Sequence, residues 1–325
     1  MIKQSTEVSC QTSTDWTQFW FCTADQQGAL RSVRIGMAVM ACWYFASHWA
    51  DIGLWLGGDG ILASESLARF LSDADLGDLV RWRLSPLYWV DSPVMLRGYL
   101  LLGMALAVAA AVVRQSRAVQ VALWLLVVWL ANRTLMLAGL EELVPAFGLG
   151  YLALAPADGT VHWSGSLALR LLQLHVSFLI AVTGLTMLSA LIWWDGSGVL
   201  AVVAPVENRY IDWVERLSTP WVHELLTHAI VSVAVVAPVL LWTAKLRRVA
   251  CVAATLWCVV LALLSSQLLY FATLAVLLQA FWRYGSPPHP PTATVAASGG
   301  SRLIKNPHQR PLVVRTSLRA ATNYR

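Results

Sequence analysis

The feature that most constrains the fold is a series of apolar blocks that are too long for a globular core. Eight such segments occur near 29–50, 96–113, 118–138, 143–156, 167–192, 225–244, 249–264 and 265–283. Hydrocarbon cannot hydrogen-bond to a backbone, so continuous apolar blocks are typical of spanning helices. They do not alternate with polar residues, which disfavours a transmembrane barrel. The sequence therefore predicts an all-α, polytopic transmembrane helical bundle with about eight spans.

The composition agrees with a membrane protein rather than a soluble one. Apolar residues make up 58% of the chain and charged residues 13%, with a mean hydropathy of +0.60. Soluble domains carry about 25% charged residues. The fourth segment is short and contains Pro145, Gly148 and Gly150, which predicts a broken or tilted helix. The last two segments form one run that we divide near residues 265–267, because a span needs about 20 residues.

Basic residues are concentrated in short turns between the segments and in the C-terminal part of the chain. The turns Arg114–Arg117 and Lys245–Arg248 carry only positive charges. Short cytoplasmic loops are enriched in Lys and Arg, so we expect both turns and both termini in the cytoplasm and the acidic loops outside the plasma (inner) membrane. The net charge of +5 does not indicate nucleic-acid binding, because the cations lie where membrane topology requires them.

The chain divides into three parts by composition. Residues 1–28 lack the basic-then-apolar order of a cleavable signal peptide and predict a retained cytoplasmic segment. Residues 29–284 are the predicted transmembrane domain, whose partner is the lipid bilayer. Residues 285–325 lack apolar periodicity and predict a disordered, basic cytoplasmic tail.

Short motifs that combine glycine with charged or amide residues follow one another along the segments. They are Arg34-Ile35-Gly36, Gly57–Leu62, Asn132-Arg133, Gly139–Glu142, Leu172-Gln173, Thr183–Leu185 and Trp193–Gly196. In order and spacing this set resembles the horizontally transferred transmembrane (HTTM) domain family, over roughly residues 15–285. That family includes the membrane domain of vitamin K-dependent γ-carboxylase and bacterial proteins that mature a secreted sporulation-delaying peptide. The resemblance implies a helical bundle whose reactive side faces the lumen or periplasm.

One departure from the family removes its best-known chemistry. In the carboxylase, the stretch that corresponds to Thr183–Leu188 carries a catalytic lysine that acts as a base. No lysine occurs in that stretch here, and the three lysines of the chain, Lys3, Lys245 and Lys305, all fall on the predicted inner side. Proton abstraction near neutral pH needs a group of suitable pKa. We therefore do not expect vitamin K-dependent carboxylation.

Four residues are candidates for acid–base catalysis. Glu141 and Glu142 could form a paired-carboxylate site, although their adjacency could also direct one of them to water. Asp195 before Gly196 could be a functional carboxylate or a turn residue. His175 lies inside the fifth segment. A polar residue there either takes part in the function or forms a hydrogen bond between helices.

Four further residues are candidates for substrate binding. Asp59 in the glycine-rich loop could bind a cation or amine, or form a turn. Arg133 could pair with Glu141 or Glu142, bind an anionic substrate group, or extend to the headgroups. Gln173 and Trp194 belong to the family motifs, and Trp194 also suits an interfacial anchor. No metal site is predicted and no cofactor is indicated.

Three functions remain open on this evidence. The first is an accessory for the maturation or export of a secreted peptide or protein at the outer face. The second is a membrane-embedded enzyme that acts on a lipid or quinone-like substrate through the candidate acids and His175. The third is a transporter-like or structural membrane partner.

Overall fold

The computed structural model describes residues 15–21, 26–73, 85–112, 116–134, 140–156, 162–204, 217, 219–265 and 267–282. These residues lie in one compact unit, Met1–Ser286. A second unit, Pro287–Arg325, and residues 1–14 lie outside the described ranges. The disordered tail and the division into three parts therefore remain predictions.

Every regular element in the described ranges is a helix, and no strand occurs there. The short elements are α1 (Asp15–Phe21), α3 (Ile52–Leu56), α4 (Ser64–Asp73), a 3₁₀ helix (Pro86–Trp89), α9 (Leu191–Trp194) and α10 (Gly198–Val203). The long elements are α2 (Gln26–Ser47), α5 (Pro93–Val112), α6 (Arg117–Arg133), α7 (Leu140–Leu154), α8 (Trp163–Ser189), α11 (Pro220–Leu240), α12 (Arg247–Leu264) and α13 (Leu268–Trp282). The all-α prediction is confirmed.

Each of the eight predicted apolar segments coincides with one of the long helices. Four of them, α5, α8, α11 and α12, have both the length and the hydropathy of a membrane span. Helices α7 and α13 are shorter apolar helices. The described part of the chain therefore has the helices of a multi-pass membrane protein, and four of them meet the criteria for a span.

Two irregular segments have defined structures. The run near residues 249–283 divides as predicted, because α12 ends at Leu264 and α13 begins at Leu268. The Ser265 hydroxyl donates to the carbonyl of Leu261, 2.7 Å away, at this break. The fourth segment is one helix, α7, with Pro145 in its second turn. Pro145 is the sixth residue of α7 and removes one intrahelical hydrogen bond, yet the helix continues through it to Leu154.

Small residues allow the long helices to approach closely. Helix α8 packs against α11, and α2 packs against α5 and α13. A Cβ atom added to Gly184 of α8 would lie 2.9 Å from the carbonyl oxygen of Ala234 on α11. Helices in lipid associate through such small residues because hydrocarbon provides no hydrophobic driving force between them.

The helix termini gather at two opposite ends of the bundle, because short connections make packed neighbours antiparallel. The Arg133 end contains the C-terminal ends of α2 and α6, the N-terminal end of α7, and segments 48–64 and 85–92. The basic end contains the N-terminal parts of α2, α6, α8 and α12.

Guanidinium groups at the basic end donate to carbonyl oxygens at the C-terminal ends of helices. Arg34 Nη2 lies 2.8 Å from the oxygen of Pro156, and Arg117 Nε lies 3.2 Å from that of Ala153. The corresponding contacts from Nε of Arg170 to Phe19 and from Nε of Arg247 to Leu241 measure 2.9 and 3.1 Å. The last carbonyls of a helix lack intrahelical donors and carry its negative dipole, so these contacts satisfy both groups.

We expect Gly184→Ala to lower the free energy of unfolding in detergent by about 1–3 kcal/mol, because the new methyl group would press α8 and α11 apart. Thermal unfolding followed by tryptophan fluorescence measures the change. The matched control is Gly98→Ala on α5, where no atom lies within 4 Å of the added Cβ. That variant should be neutral or slightly stabilising, because alanine favours a helix. Equal melting temperatures for the two variants would contradict the proposed close contact.

Candidate functional site

Arg133, the last residue of α6, lies inside a cluster at the Arg133 end. Its side chain is fully buried, at 0% exposure. Its Nη2 atom lies 3.3 Å from Ser64 Oγ and 3.5 Å from Asp91 Oδ1. The guanidinium carbon lies 5.7 Å from the centroid of the Tyr88 ring, within the range of a cation–π contact. Two separate stretches of chain, at Ser64 and at residues 88–91, therefore contact one buried charge.

Asp91 connects the cluster to the glycine-rich loop. Its Oδ1 atom accepts hydrogen bonds from the Ser64 amide at 3.3 Å and the Ser64 hydroxyl at 2.6 Å. Its backbone carbonyl accepts from the amide of Gly58 at 3.0 Å. A Cβ atom on Gly60 would lie 2.8 Å from the Leu54 carbonyl oxygen, so only glycine fits there. The glycines of the loop thus serve to fold it onto α3.

Glu142 forms a second cluster at the same end. The residue is buried at 5% exposure, and its Oε1 atom accepts a hydrogen bond from Thr134 Oγ1 at 3.0 Å. His48, in the turn after α2, places Nε2 3.9 Å from the same oxygen. Arg133 and Glu142 do not form an ion pair in the described contacts, although the sequence left that pairing open. Each has its own partners on either side of the end of α6.

The hydrogen bond to the backbone fixes how His48 faces Glu142. The Nδ1 atom lies 2.9 Å from the carbonyl oxygen of Tyr44. A carbonyl oxygen only accepts, so Nδ1 carries a hydrogen and the neutral ring presents the lone pair of Nε2 to Glu142. Burial lowers the pKa of His48, and the Tyr44 carbonyl opposes this shift. The Nε2 lone pair of the neutral ring lies 3.9 Å from Glu142 Oε1, beyond direct hydrogen-bond distance.

A cavity of about 260 Å³ opens beside this pair. It is lined by Ser47, His48, Asp51, Ile52, Trp55, Leu56 and Thr134. Its walls combine apolar side chains with a few polar groups, as in small-molecule sites. The volume suits a small organic group or the headgroup of a larger molecule. His48 and Thr134 thus link the buried carboxyl to an open space.

The structure describes the other two predicted acidic residues to different extents. Glu141 is the second residue of α7, and its side chain lies outside the described part of the structure. Asp195 Oδ1 accepts hydrogen bonds from the amide and hydroxyl of Ser197, which lower the pKa of Asp195. Gly196, with φ of 84°, completes this turn. The described contacts of Asp195 are those of a turn residue, and they do not include Glu142.

His175 and Gln173 make interhelical contacts within the bundle. The His175 Nδ1 atom lies 3.2 Å from the hydroxyl of Tyr151 on α7. Gln173 is fully buried, accepts from Arg170 Nη1 at 3.0 Å and donates to the carbonyl of Ala280 on α13 at 2.8 Å. Both residues therefore join α8 to its neighbours, and neither contacts the Glu142 cluster in the described structure.

The remaining predicted binding residues are exposed. Asp59 lies at the surface of the glycine-rich loop. Trp194 donates from Nε1 to the carbonyl of Leu188 at 2.7 Å. It lines a second cavity of about 300 Å³ together with His228 and apolar residues of α8, α9 and α11. Among the described residues no group of three His, Cys, Asp or Glu side chains could hold a metal ion.

Sequence reasoning missed His48, Thr134, Ser64 and Asp91. His48 and Asp91 lie next to the ends of apolar segments, where polar residues are common and carry no particular signal. Only the motif that contains Arg133 pointed to this end of α6. The partners of Arg133 and Glu142 come from other parts of the chain, so the sequence could not pair them.

Comparison with known proteins adds no identification. No family model, no curated protein and no solved structure matches this chain. The resemblance to the HTTM family is therefore untested.

We expect Asp91→Asn to lower the free energy of unfolding by about 1–3 kcal/mol, because the buried guanidinium of Arg133 loses its charged acceptor. Chemical or thermal unfolding in detergent measures the loss. Asp73→Asn is the control, since Asp73 is exposed at the end of α4. If both variants unfold at the same temperature, Asp91 does not stabilise the cluster.

The lowered pKa of His48 predicts a dependence of stability on pH. The unfolded state binds the imidazole proton more tightly than the folded state, so stability should fall as the pH drops through and below about 6.5. The difference in melting temperature between the wild type and His48→Gln should therefore shift against the wild type between about pH 7.5 and about pH 5. A shift in favour of the wild type would instead indicate an ion pair between a protonated His48 and Glu142.

Proposed function

We propose that this chain is a multi-pass membrane protein in which all eight long helices cross the bilayer. Four meet the criteria for a span, and the other four, α2, α6, α7 and α13, lie before, between and after them in the chain. Large apolar side chains are exposed along the candidate spans, including Leu101 on α5, Phe178 on α8 and Val239 on α11. Exposed apolar surface of this kind suits lipid rather than water. The shorter α7 and α13 would be accommodated by local thinning of the bilayer.

The proposed orientation places the basic end in the cytoplasm and the Arg133 end at the outer face of the plasma membrane. Its support is the positive charge at the basic end, where Arg34, Arg117, Arg170 and Arg247 meet helix termini. Cytoplasmic flanks of membrane helices are enriched in such residues. Eight crossings then put both termini in the cytoplasm.

The function that this geometry supports best is acid–base chemistry on a ligand that enters from the outer face. One observation carries the proposal: the buried carboxyl of Glu142 faces the Nε2 atom of His48, beside a cavity that His48 lines. A carboxyl and an imidazole placed side by side at a cavity can give a proton to a bound group or remove one from it. This chemistry fits the second predicted function, a membrane-embedded enzyme that acts on a lipid or quinone-like substrate.

The HTTM resemblance is compatible with this proposal but is not needed for it. Arg133 and Glu142 belong to two of the motifs that carry the resemblance, Asn132-Arg133 and Gly139–Glu142. Each residue lies in one cluster at the proposed outer face. The lysine base of the carboxylase has no counterpart, and the Glu142–His48 pair would be the proton-transferring group instead. An accessory for a secreted peptide would use the same face without needing the pair.

The test compares molecules that co-purify with the full chain in detergent. Mass spectrometry of extracts from the wild type, Glu142→Gln and Glu65→Gln is expected to find an apolar compound in all three. In Glu142→Gln the substrate should accumulate, because the glutamine cannot transfer a proton, while the other two samples carry the product. Glu65 is a suitable control because it is exposed on α4 and pairs only with Arg69 in the described structure.

Two outcomes would overturn the proposal. The same compound in the same form in all three samples would show that Glu142 performs no chemistry. A co-purifying peptide that is unchanged by Glu142→Gln would favour the accessory role at this face.

A further inference from the structure

The guanidinium of Arg133 has more donors than the described structure has acceptors for. An arginine side chain carries five N–H bonds, three of them on Nε and Nη1. Both of these atoms are buried and have no hydrogen-bond partner among the described residues. The partners of Nη2, Ser64 Oγ and Asp91 Oδ1, are at the long end of the range, at 3.3 and 3.5 Å. A fully buried charge is thus only partly satisfied.

Two other buried arginines, Arg170 and Arg247, donate from Nε to backbone carbonyl oxygens. Arg170 donates from Nε to Phe19 and from Nη1 to Gln173, and Arg247 donates from Nε to Leu241. Arg133 lies at the C-terminal end of α6, yet its described contacts include no helix carbonyl. A buried charge that is only partly hydrogen-bonded is costly, and a bound group can supply the missing acceptors.

Asp91 does not complete the charge balance. Its Oδ1 atom already accepts from the amide and hydroxyl of Ser64, and its side chain is 41% exposed. This carboxylate is therefore shared with Ser64 and is partly exposed at the surface. The Tyr88 ring adds a weak attraction from one side and no acceptor oxygen for Nε or Nη1.

We propose that Arg133 binds an oxyanion, a phosphate or carboxylate group, of the ligand that this end of the protein takes. The planar guanidinium offers its N–H groups in a fixed fork that matches such oxygens. The partly exposed Asp91 marks the surface from which the oxyanion approaches. Arg133 is a binding residue in this proposal and transfers no proton.

The position of Arg133 relates the oxyanion to the cavity. Thr134, the next residue, lines that cavity and donates to Glu142. Consecutive Cα atoms are about 3.8 Å apart, so one ligand of modest size can reach both sides of the end of α6. This refinement rests on the proposed function, and it specifies an acidic amphiphile as the ligand class. The binding of an oxyanion at Arg133 does not depend on any proton transfer at Glu142.

The experiment measures thermal unfolding of the full chain with two probes. Inorganic phosphate is titrated in detergent at constant ionic strength, and nanodiscs with phosphatidylglycerol are compared with nanodiscs of phosphatidylcholine alone. The variants are Arg133→Met and Arg69→Gln. Arg69 is an exposed arginine of α4 at the same end. Arg133→Met should fold with a melting temperature close to that of the wild type, because it removes an under-satisfied buried charge.

Phosphate is expected to raise the melting temperature of the wild type and Arg69→Gln by about 2–4 °C in a saturable way, with no effect on Arg133→Met. A response to phosphatidylglycerol alone, lost in Arg133→Met, would support the proposal with a lipid headgroup as the source. If neither probe shifts the wild type, or if Arg133→Met responds equally, the proposal is overturned. Arg133→Lys, which keeps the charge without the fork, should respond more weakly than the wild type.

A further variant distinguishes this inference from the proposed function. Glu142→Gln should respond to the probes as the wild type does, because Glu142 makes no described contact with Arg133. If Glu142→Gln leaves the co-purifying compound unchanged but keeps the phosphate response, the acid–base function fails and the oxyanion site stands. Loss of the response in Glu142→Gln would overturn the independence of the two clusters and the oxyanion site with it.

Discussion

Hydrocarbon offers no acceptor to a buried guanidinium, so each arginine inside this bundle depends on an oxygen that the protein or a ligand supplies. At the basic end, backbone carbonyls at helix ends are the acceptors, as in the hydrogen bond from Arg34 to the carbonyl oxygen of Pro156. These contacts tie the start of one helix to the end of another, so the same interaction satisfies charge and fixes the packing. Arg133 at the opposite end is the exception that gives the molecule a candidate site.

The two clusters at the Arg133 end use one structural element in two ways. Helix α6 ends with Arg133 directed to Asp91 and the next residue, Thr134, directed to Glu142. A buried positive charge and the Glu142–His48 pair therefore lie near the same helix terminus. This arrangement suits a ligand with an acidic group and a second, proton-exchanging group.

Several sequence candidates proved to have contacts that hold the bundle together. Gln173 joins α8 to α13, and His175 joins α8 to α7. A polar residue in a span must find a partner, and a neighbouring helix is as good a partner as a ligand. Asp195 illustrates the same ambiguity outside the spans, because its contacts with Ser197 are those of a turn. Residue type alone could not separate these roles from that of Glu142.

The sequence by itself determined the helical class, the position of the long helices and the break between α12 and α13, because hydropathy and helix-breaking residues act locally. It also singled out Arg133 and Glu142. Only the tertiary structure decided that Glu142 faces His48 and that Arg133 faces Asp91. These partners come from turns far apart in the chain, and a single histidine or aspartate beside an apolar segment carries no periodic signal. Packing of the helices brings them together, and packing is not encoded in any one segment.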